Sequence, residues 1–227
     1  MHVLDNTAWH ALTGAQRSFA VGGERAKRYR PDVSPLAAVA DPEDPRAWDE
    51  LAELVEPGEV IGVFAPAAPA GWRTVVAYDA VQLVYLGDRP PIVPPAEVET
   101  PVIELGDADV PEMLDLVERT KPGPFLPRTI EFGGYRGVRV YGRLAAMAGQ
   151  RMRPDGWCEV SAVCSDPAYR GRRFAARAMS TVIEGVLARG ERPFLHAERV
   201  NESAVSLYER LGFQLRSDKR LLLLQRA

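Results

Sequence analysis

The strongest hydrophobic pattern in the chain lies in its last third. A nearly continuous apolar run over residues 159–165 predicts a strand that is buried on both faces. Apolar residues then recur at helical spacing over 174–189, followed by a strand over 194–198 and a second helix over 201–211. This alternation predicts an α/β fold with a central mixed sheet flanked by helices.

Weaker patterns predict the elements before and after this block. The other elements of the second half are a strand over 102–105, a helix over 107–119, an irregular segment over 121–128, two strands within 136–152, and final strands over 213–216 and 221–225. The first hundred residues predict a smaller α+β region with a helix over 7–19, an irregular segment over 21–43, a helix over 44–56, and strands over 59–65, 73–77 and 81–86. Residues 78–80 are expected to form the turn between the last two of these strands.

A proline-rich stretch over residues 89–101 separates two parts of opposite charge. Residues 1–100 contain 8 Lys or Arg and 15 Asp or Glu, a net charge of −7, whereas residues 101–227 contain 20 and 16, a net charge of +4. Because proline lacks the N–H group that a sheet needs, the stretch is expected to be an extended linker. We therefore expect an N-terminal α+β region over 1–98 and a main domain over 99–227.

The composition excludes several classes of protein. The 227 residues are 46% hydrophobic and 26% charged with a net charge of −3, as in an ordinary globular protein. No apolar run approaches the roughly 18 residues that a membrane helix needs, and the first residues lack a secretory signal pattern. Cys158 and Cys164 would lie about 20 Å apart along one strand, too far for a disulfide. We expect a cytoplasmic protein with reduced thiols.

Three arginines, Arg170, Arg172 and Arg173, lie between the predicted buried strand and the helix that follows it. A loop in this position aims backbone N–H groups at one point, and the helix adds its positive end. Arginine supplies planar donors for a phosphate or pyrophosphate group. The loop therefore has the features of an anion site, although a basic surface turn before an amphipathic helix would use the same residues.

Two stretches in this region resemble the signatures of the GNAT N-acetyltransferase superfamily. Residues 159–175 resemble its acyl-CoA-binding strand and loop, and residues 201–213, with Asn201, Tyr208 and the Gly212-Phe213 pair, resemble its second signature. The resemblance implies the GNAT fold for the second part of the chain, with acetyl-CoA as co-substrate. The acyl-CoA-binding residues that it implies are Val163, Cys164, Arg170, Gly171, Arg172, Arg173, Phe174, Ala175 and Asn201.

Finer features relate the chain to one branch of this superfamily. Residues 143–149 and 194–196 look most like the acyl-CoA domain of glycine N-acyltransferases. Region 1–98, which the signatures do not cover, is interpreted as a degenerate half-copy of the same fold. The chain departs from the family pattern at Arg173, where glycine is usual, while Ala175 fills the second small-residue position. An arginine there argues against a backbone conformation that needs glycine.

The resemblance also suggests how the reaction would be assisted. A backbone N–H near Val163 would stabilise the oxyanion, on a strand that the family separates from its neighbour near this point. Tyr208 occupies the position of the acid that protonates the departing thiolate. The helix that carries Tyr208 has core-facing residues, so a buried tyrosine without a catalytic role is the alternative.

The base that removes the proton of the amine is less clearly indicated. Glu159 is the expected base, because burial would raise its pKa toward neutrality. An ordinary ion pair is the alternative for this residue, and its candidate partners are Arg143, Arg151 and Arg153. Other candidates for the base are His196, which could equally be a satisfied core histidine, Glu198 and water.

The sequence thus predicts transfer of an acetyl group from acetyl-CoA to a primary amine of a small molecule, amino acid or peptide by direct attack. An acyl-CoA-binding regulator without turnover is the alternative, and Arg173 motivates it. Cys164 is interpreted as a small core residue rather than a nucleophile. The histidines, His2, His10 and His196, show no ligand spacing, and the basic residues surround one loop. We therefore expect no metal, no nucleic acid and no membrane partner, and a homodimer is left open.

Overall fold

The computed structural model describes residues 2–94 and 100–227, and eleven strands in this part of the chain form one mixed sheet. In chain order the strands are β1 (Ala20–Gly22), β2 (Ala26–Tyr29), β3 (Leu36–Val39), β4 (Ile61–Phe64), β5 (Trp72–Tyr85), β6 (Val102–Glu104), β7 (Arg136–Val140), β8 (Arg143–Gln150), β9 (Trp157–Ser165), β10 (Arg192–Glu198) and β11 (Phe213–Arg226). The α-helices are α1 (Thr7–Thr13), α2 (Pro45–Glu53), α3 (Val110–Thr120), α4 (Phe174–Ala188) and α5 (Glu202–Arg210). The predicted fold class, a mixed sheet flanked by helices, is confirmed.

Across the sheet the strands follow the order β1-β2-β3-β4-β11-β5-β10-β9-β8-β7-β6. β3 pairs with β4, and β9 with β10, in parallel, whereas the other neighbours are antiparallel. The helices α2 and α4 are the crossovers that the two parallel pairs require. Alternate residues of β8 point to opposite faces of the sheet, so that Ala148 packs in the cluster under α4 and Met147 in the cluster under α3.

The strands before and after the proline-rich linker interlock. β5 lies between β10 and β11, and β11 in turn separates β5 from β4. Leu83 of β5 belongs to the same core cluster as Val160 of β9, Met179 of α4 and Phe213 of β11. The sheet and this core therefore do not divide at the expected boundary between residues 98 and 99. Residues 95–99 of the predicted linker lie outside the described residues.

The topology contains an internal repeat. The path from β1 through β2, β3 and α2 to β4 is a meander followed by a crossover to a parallel strand, and the path from β7 through β8, β9 and α4 to β10 is the same. Each unit is followed by a strand that pairs with the other unit. β5 comes after β4 but pairs with β10, and β11 comes after β10 but pairs with β4.

Several predicted elements are wrong in extent or kind. Residues 21–43, expected to be irregular, contain most of β1 and all of β2 and β3, which have three or four residues each and are too short for an alternation to show. The turn expected at 78–80 does not form, because β11 pairs with β5 along its whole length. The two predicted final strands are likewise one strand, with a bulge at Arg216. Helix α1 ends at Thr13, because Gly14 follows it.

Two further expectations concern the thiols and the membrane. Cys158 and Cys164 are both free and buried. Within residues 2–94 and 100–227, no helix combines the length and the apolar character needed to cross a membrane.

Candidate active site

The parallel strands β9 and β10 separate along their length and open a cleft in the sheet. They form three residue pairs, Trp157 with Arg192, Cys158 with Pro193, and Glu159 with Phe194. No further pair forms between these strands among the described residues. Residues 160–163 of β9 and 196–198 of β10 line the cleft, whose volume is about 1190 Å³. Beyond Glu159 the backbone of β9 therefore faces an opening instead of a neighbouring strand.

A bulge interrupts β9 within this cleft. Ser161 pairs with Gly149 and Cys164 with Met147, which leaves Ala162 and Val163 without a register partner on β8. Ala162 has a φ of 52°, the kind of local distortion that a bulge produces. Val163 lines the cleft as expected. Cys164 instead packs in the core under α3, where burial raises the pKa of its thiol to about 11.

The arginine loop connects the end of β9 to α4. Residues 170–173 are exposed, and Phe174 anchors the helix start in a cluster with Val138 and Ala146. Gly171 has a φ of 78° and Arg173 a φ of 64°. The expectation that arginine excludes a glycine-like backbone at 173 is therefore wrong: the left-handed conformation is kept, at a cost of about 1 kcal/mol for a residue with a Cβ.

The N-terminus of α4 is open to an anion. Its first residues follow Arg173, and no side chain in the described part of the chain caps the helix there. The first N–H groups of a helix need partners and carry its partial positive charge. The structure thus brings the arginine loop and an uncapped helix end together, although residues 170–175 lie beside the cleft and do not line it.

Helix α5 brings two predicted residues to the cleft. Asn201 caps the helix, with Oδ1 accepting from the Ala204 N–H at 3.2 Å, and it also lines the cleft. Tyr208 is 8% exposed and packs beside Phe213, with 6.2 Å between ring centroids. Burial raises the pKa of Tyr208 to about 12. Its hydroxyl makes no hydrogen bond to another described residue and lines the cleft, so it is free to donate to a ligand.

Glu159 lies where the strands part and is fully buried. Its carboxylate accepts from Arg151 Nε at 2.8 Å and Nη2 at 2.6 Å, from the Met152 N–H at 3.3 Å, and from His196 Nδ1 at 2.8 Å. Burial alone would raise the pKa of Glu159, but the charge and hydrogen bonds of Arg151 and the hydrogen bond of His196 outweigh it and lower that pKa to about 2. The predicted direction was therefore wrong, and Arg151 is the ion-pair partner among the three candidates.

His196 is held between Glu159 and Gln82. The Gln82 Oε1 accepts from Arg216 at 2.8 Å, and Nε2 donates to the Leu4 carbonyl at 3.0 Å, which fixes the orientation of the amide. Nε2 of Gln82 also lies 3.0 Å from Nε2 of His196. That ring nitrogen must then accept, so Nδ1 carries the hydrogen that Glu159 accepts. Burial lowers the pKa of His196, which favours this neutral form.

The candidates for the base thus differ in what they can reach. Glu159 is sealed beneath Arg151 and does not line the cleft, whereas His196 lines it but has both ring nitrogens engaged. Glu198 is exposed at the end of β10, lines the cleft, and makes no hydrogen bond or ion pair through its side chain with another described residue. Sequence reasoning missed Gln82, since nothing in a strand pattern signals a partner 114 residues away.

The other walls of the cleft come from three regions of the chain. The side chains on the N-terminal strands and β11 are mainly apolar, and those on α3 and the loop after it are mixed. They include Leu36, Phe64, Tyr78, Leu221, Leu223, Leu114, Asp115, Glu118, Lys121 and Phe125. No group of His, Cys, Asp and Glu that could hold a metal ion occurs among the residues that the structure describes.

Glu159→Gln should destabilise the fold in a pH-dependent way. Because the pKa of Glu159 lies near 2 when folded and near the usual 4.3 when unfolded, its stabilisation is present above about pH 4.3 and is lost as the pH falls toward 2. At pH 7 the variant leaves Arg151 buried without a counter-charge, and we expect a loss of about 3–5 kcal/mol in the free energy of unfolding. Urea unfolding at pH 7, 5 and 3 measures both effects.

The matched control is Glu184→Gln, which makes the same change at an exposed position of α4. The difference between wild type and Glu159→Gln should shrink by roughly 3 kcal/mol in all as the pH falls from above 4.3 to below 2, and by a little more than half of that at pH 3. A difference that stays constant with pH, or that equals the control, would show that Glu159 is not the buried charged partner of Arg151.

Comparison with known proteins gives the family. The FR47-like protein family model matches residues 135–222. The structure of a GNAT-family acetyltransferase from Novosphingobium aromaticivorans is 39% identical, with 100% of each chain covered and a TM-score of 0.88. A GCN5-related N-acetyltransferase from Kribbella flavida shares the fold at 18% identity and a TM-score of 0.64, with 96% of this chain and 93% of that chain covered. A comparison with curated protein sequences finds no match. Because the identity of 39% extends over the full length, the chain belongs to the GNAT family of acetyltransferases.

Proposed function

We propose that this protein transfers the acetyl group of acetyl-CoA to a primary amine by direct attack of the amine on the thioester. The observation that carries the proposal is the separation of β9 from β10, which leaves Val163, at the bulge of β9, and Tyr208 lining one cleft. Family membership supports acyl transfer in general. The buried free thiols fit a cytoplasmic setting for the reaction.

The phosphates of CoA would bind at the arginine loop. Arg170, Arg172 and Arg173 are exposed and next to the uncapped start of α4, so their charge and the helix N–H groups can act on one anion. Gly171 has no side chain and Ala175 has only a methyl group, so a phosphate can approach the backbone there. From there the pantetheine would run along residues 160–163 of β9, close to Asn201, toward the cleft.

The acyl transfer itself needs an oxyanion donor and an acid. The amine nitrogen attacks the thioester carbon, and the carbonyl oxygen becomes an oxyanion that the Val163 N–H would stabilise. The C–S bond then breaks and leaves a thiolate. Because burial holds the pKa of Tyr208 near 12, its hydroxyl stays protonated at neutral pH and can donate to that thiolate.

We assign removal of the proton of the amine to Glu198, directly or through a water molecule. Glu198 is exposed at the mouth of the cleft, where an incoming ammonium group would meet it. Glu159, the base expected from the sequence, is poorly suited because a carboxylate with a pKa near 2 and four hydrogen-bond donors holds a proton weakly. Its role in this proposal is to hold Arg151 and His196 in place.

Release of free thiol from acetyl-CoA tests the proposal. The protein is mixed with acetyl-CoA and a panel of primary amines and amino acids, and thiol is followed by absorbance while CoA binding is measured by calorimetry. We expect CoA binding and an amine-dependent rate. Binding without thiol release for any amine would contradict the enzyme and leave a regulator without turnover, and absence of binding would contradict both.

Tyr208→Phe should lower turnover without weakening CoA binding. The variant keeps the ring that packs on Phe213 and removes only the hydroxyl, so we expect kcat to fall by about 10²-fold while the Kd for acetyl-CoA stays within about twofold. Steady-state kinetics and calorimetry measure the two quantities. Tyr141→Phe, at a position that is 93% exposed, is the matched control and should change neither. An unchanged kcat in Tyr208→Phe would make this residue a core tyrosine only.

A further inference from the structure

The part of the cleft that would receive the acceptor has an apolar wall. Leu36 of β3, Phe64 of β4 and Leu223 of β11 line it, and Phe64 stacks on the ring of His196 with 4.5 Å between centroids. Leu114 and Phe125 face them from α3 and the loop that follows. An amine that fills this space therefore gains by burying apolar surface, about 25 cal/mol for each Å² removed from water.

The interior of the cleft offers no net positive charge. Arg151 is the buried cation that lines it, with 13% of its side chain exposed. Its Nε and Nη2 groups are both committed to Glu159, whose negative charge is fully buried next to it. A carboxylate brought to Arg151 would lie beside Glu159 in surroundings of low dielectric constant, where like charges repel strongly. The pair therefore disfavours a second anion.

The mouth of the cleft is acidic on balance. Asp115 is paired with Arg119 at 2.9 Å. Glu118 and Glu198 form no ion pair with any described residue, and Lys121 is a cation that lines the same cleft. These three groups are exposed and sum to a net charge of −1. With the arginine loop beside the cleft occupied by the phosphates of CoA, such a mouth attracts an ammonium group and repels a carboxylate that travels with it.

We propose that the acceptor is a primary amine whose remaining part is uncharged and largely apolar, and that a carboxylate next to the amine makes a molecule a poor acceptor. This inference rests on the proposed acetyl transfer and narrows its substrate class. It disfavours free amino acids, which the resemblance to glycine N-acyltransferases would suggest, and favours alkylamines, arylalkylamines and amino acid amides.

Arg151 favours one further feature of the acceptor, an uncharged oxygen that can accept a hydrogen bond. No hydrogen bond from its Nη1 to a described residue is formed, although Nε and Nη2 are both used. Because Arg151 lines the cleft, an oxygen of a ligand in the cleft can accept from this unused donor. A neutral oxygen, such as an amide carbonyl, can accept from it without adding charge next to Glu159. We therefore expect an uncharged oxygen on the apolar part of the acceptor to improve its use.

Matched acceptors test the inference. Thiol release from acetyl-CoA is measured with phenylalanine, phenylalaninamide and 2-phenylethylamine, and with glycine and glycinamide, and kcat/KM is expressed per concentration of unprotonated amine. We expect phenylalaninamide and 2-phenylethylamine to exceed phenylalanine by at least about tenfold, since the carboxylate must lose its water without gaining a partner. Glycinamide should exceed glycine but fall below phenylalaninamide.

The outcomes distinguish failure of the inferred acceptor class from failure of the proposed acetyl transfer. Equal or better use of the free amino acids would overturn the inference and leave acetyl transfer intact. Thiol release with no amine, despite CoA binding, would overturn the proposed function and the inference together. A preference for phenylalanine that disappears in Lys121→Met would also overturn the inference, because it would place a carboxylate site at the mouth of the cleft.

A charge introduced into the apolar wall should reverse the preference. Leu223 lines the cleft and is only half-buried, so Leu223→Lys can direct an ammonium group into it. We expect the ratio of kcat/KM for phenylalanine over phenylalaninamide to rise at least about tenfold, as an unpaired carboxylate gains a partner. Leu215→Lys, on the same strand but 58% exposed and outside the cleft, is the control and should leave the ratio unchanged. An unchanged ratio in Leu223→Lys would contradict the assigned acceptor wall.

Discussion

The buried ion pair between Arg151 and Glu159 lies at the point where β9 and β10 part, and both the fold and the cleft depend on it. Two parallel strands that separate must leave polar groups in the interior, and these need partners. Glu159 receives four donors there, one of them from His196, and His196 in turn contacts Gln82 of the N-terminal strand β5. Removing either charge would leave the other buried and unpaired, which is far more costly than losing an exposed salt bridge.

The two repeated units of the fold, β1 to β4 and β7 to β10, differ in the segment that leads from the first strand of the parallel pair to the crossover helix. After β9 the chain supplies Arg170, Arg172 and Arg173 and an uncapped helix. After β3 it supplies residues 41–44, three of which are acidic, and Asp44 caps α2 by accepting from the Arg46 N–H at 3.1 Å. Of these two segments, the one after β9 therefore has the features of an anion site and the one after β3 does not. These two segments account for part of the difference in net charge between the first and second parts of the chain, with three acidic residues in one and three basic residues in the other.

The sequence predicted well those elements whose signals are local. The buried strand of 159–165, the arginine loop and the cap at Asn201 are each encoded by neighbouring residues, and all lie close to where they were expected. Strands β1 to β3 and the unbroken β5 were missed, because their conformation is decided by partners far along the chain. The pKa of Glu159 was predicted in the wrong direction for the same reason. Burial was foreseen, whereas the orientation of Arg151 and His196 around it was not.

A crystal structure with CoA covalently linked to an arylalkylamine would show the acyl donor and the amine acceptor in the cleft at once. We expect the pyrophosphate to lie against the N–H groups at the start of α4. We also expect the sulfur to lie within hydrogen-bond distance of the Tyr208 hydroxyl, the aryl group to lie against Phe64 and Leu223, and the Arg151–Glu159 pair to be intact. A pyrophosphate bound away from residues 170–175, or an aryl group outside the opening between β9 and β10, would contradict the proposed binding of donor and acceptor.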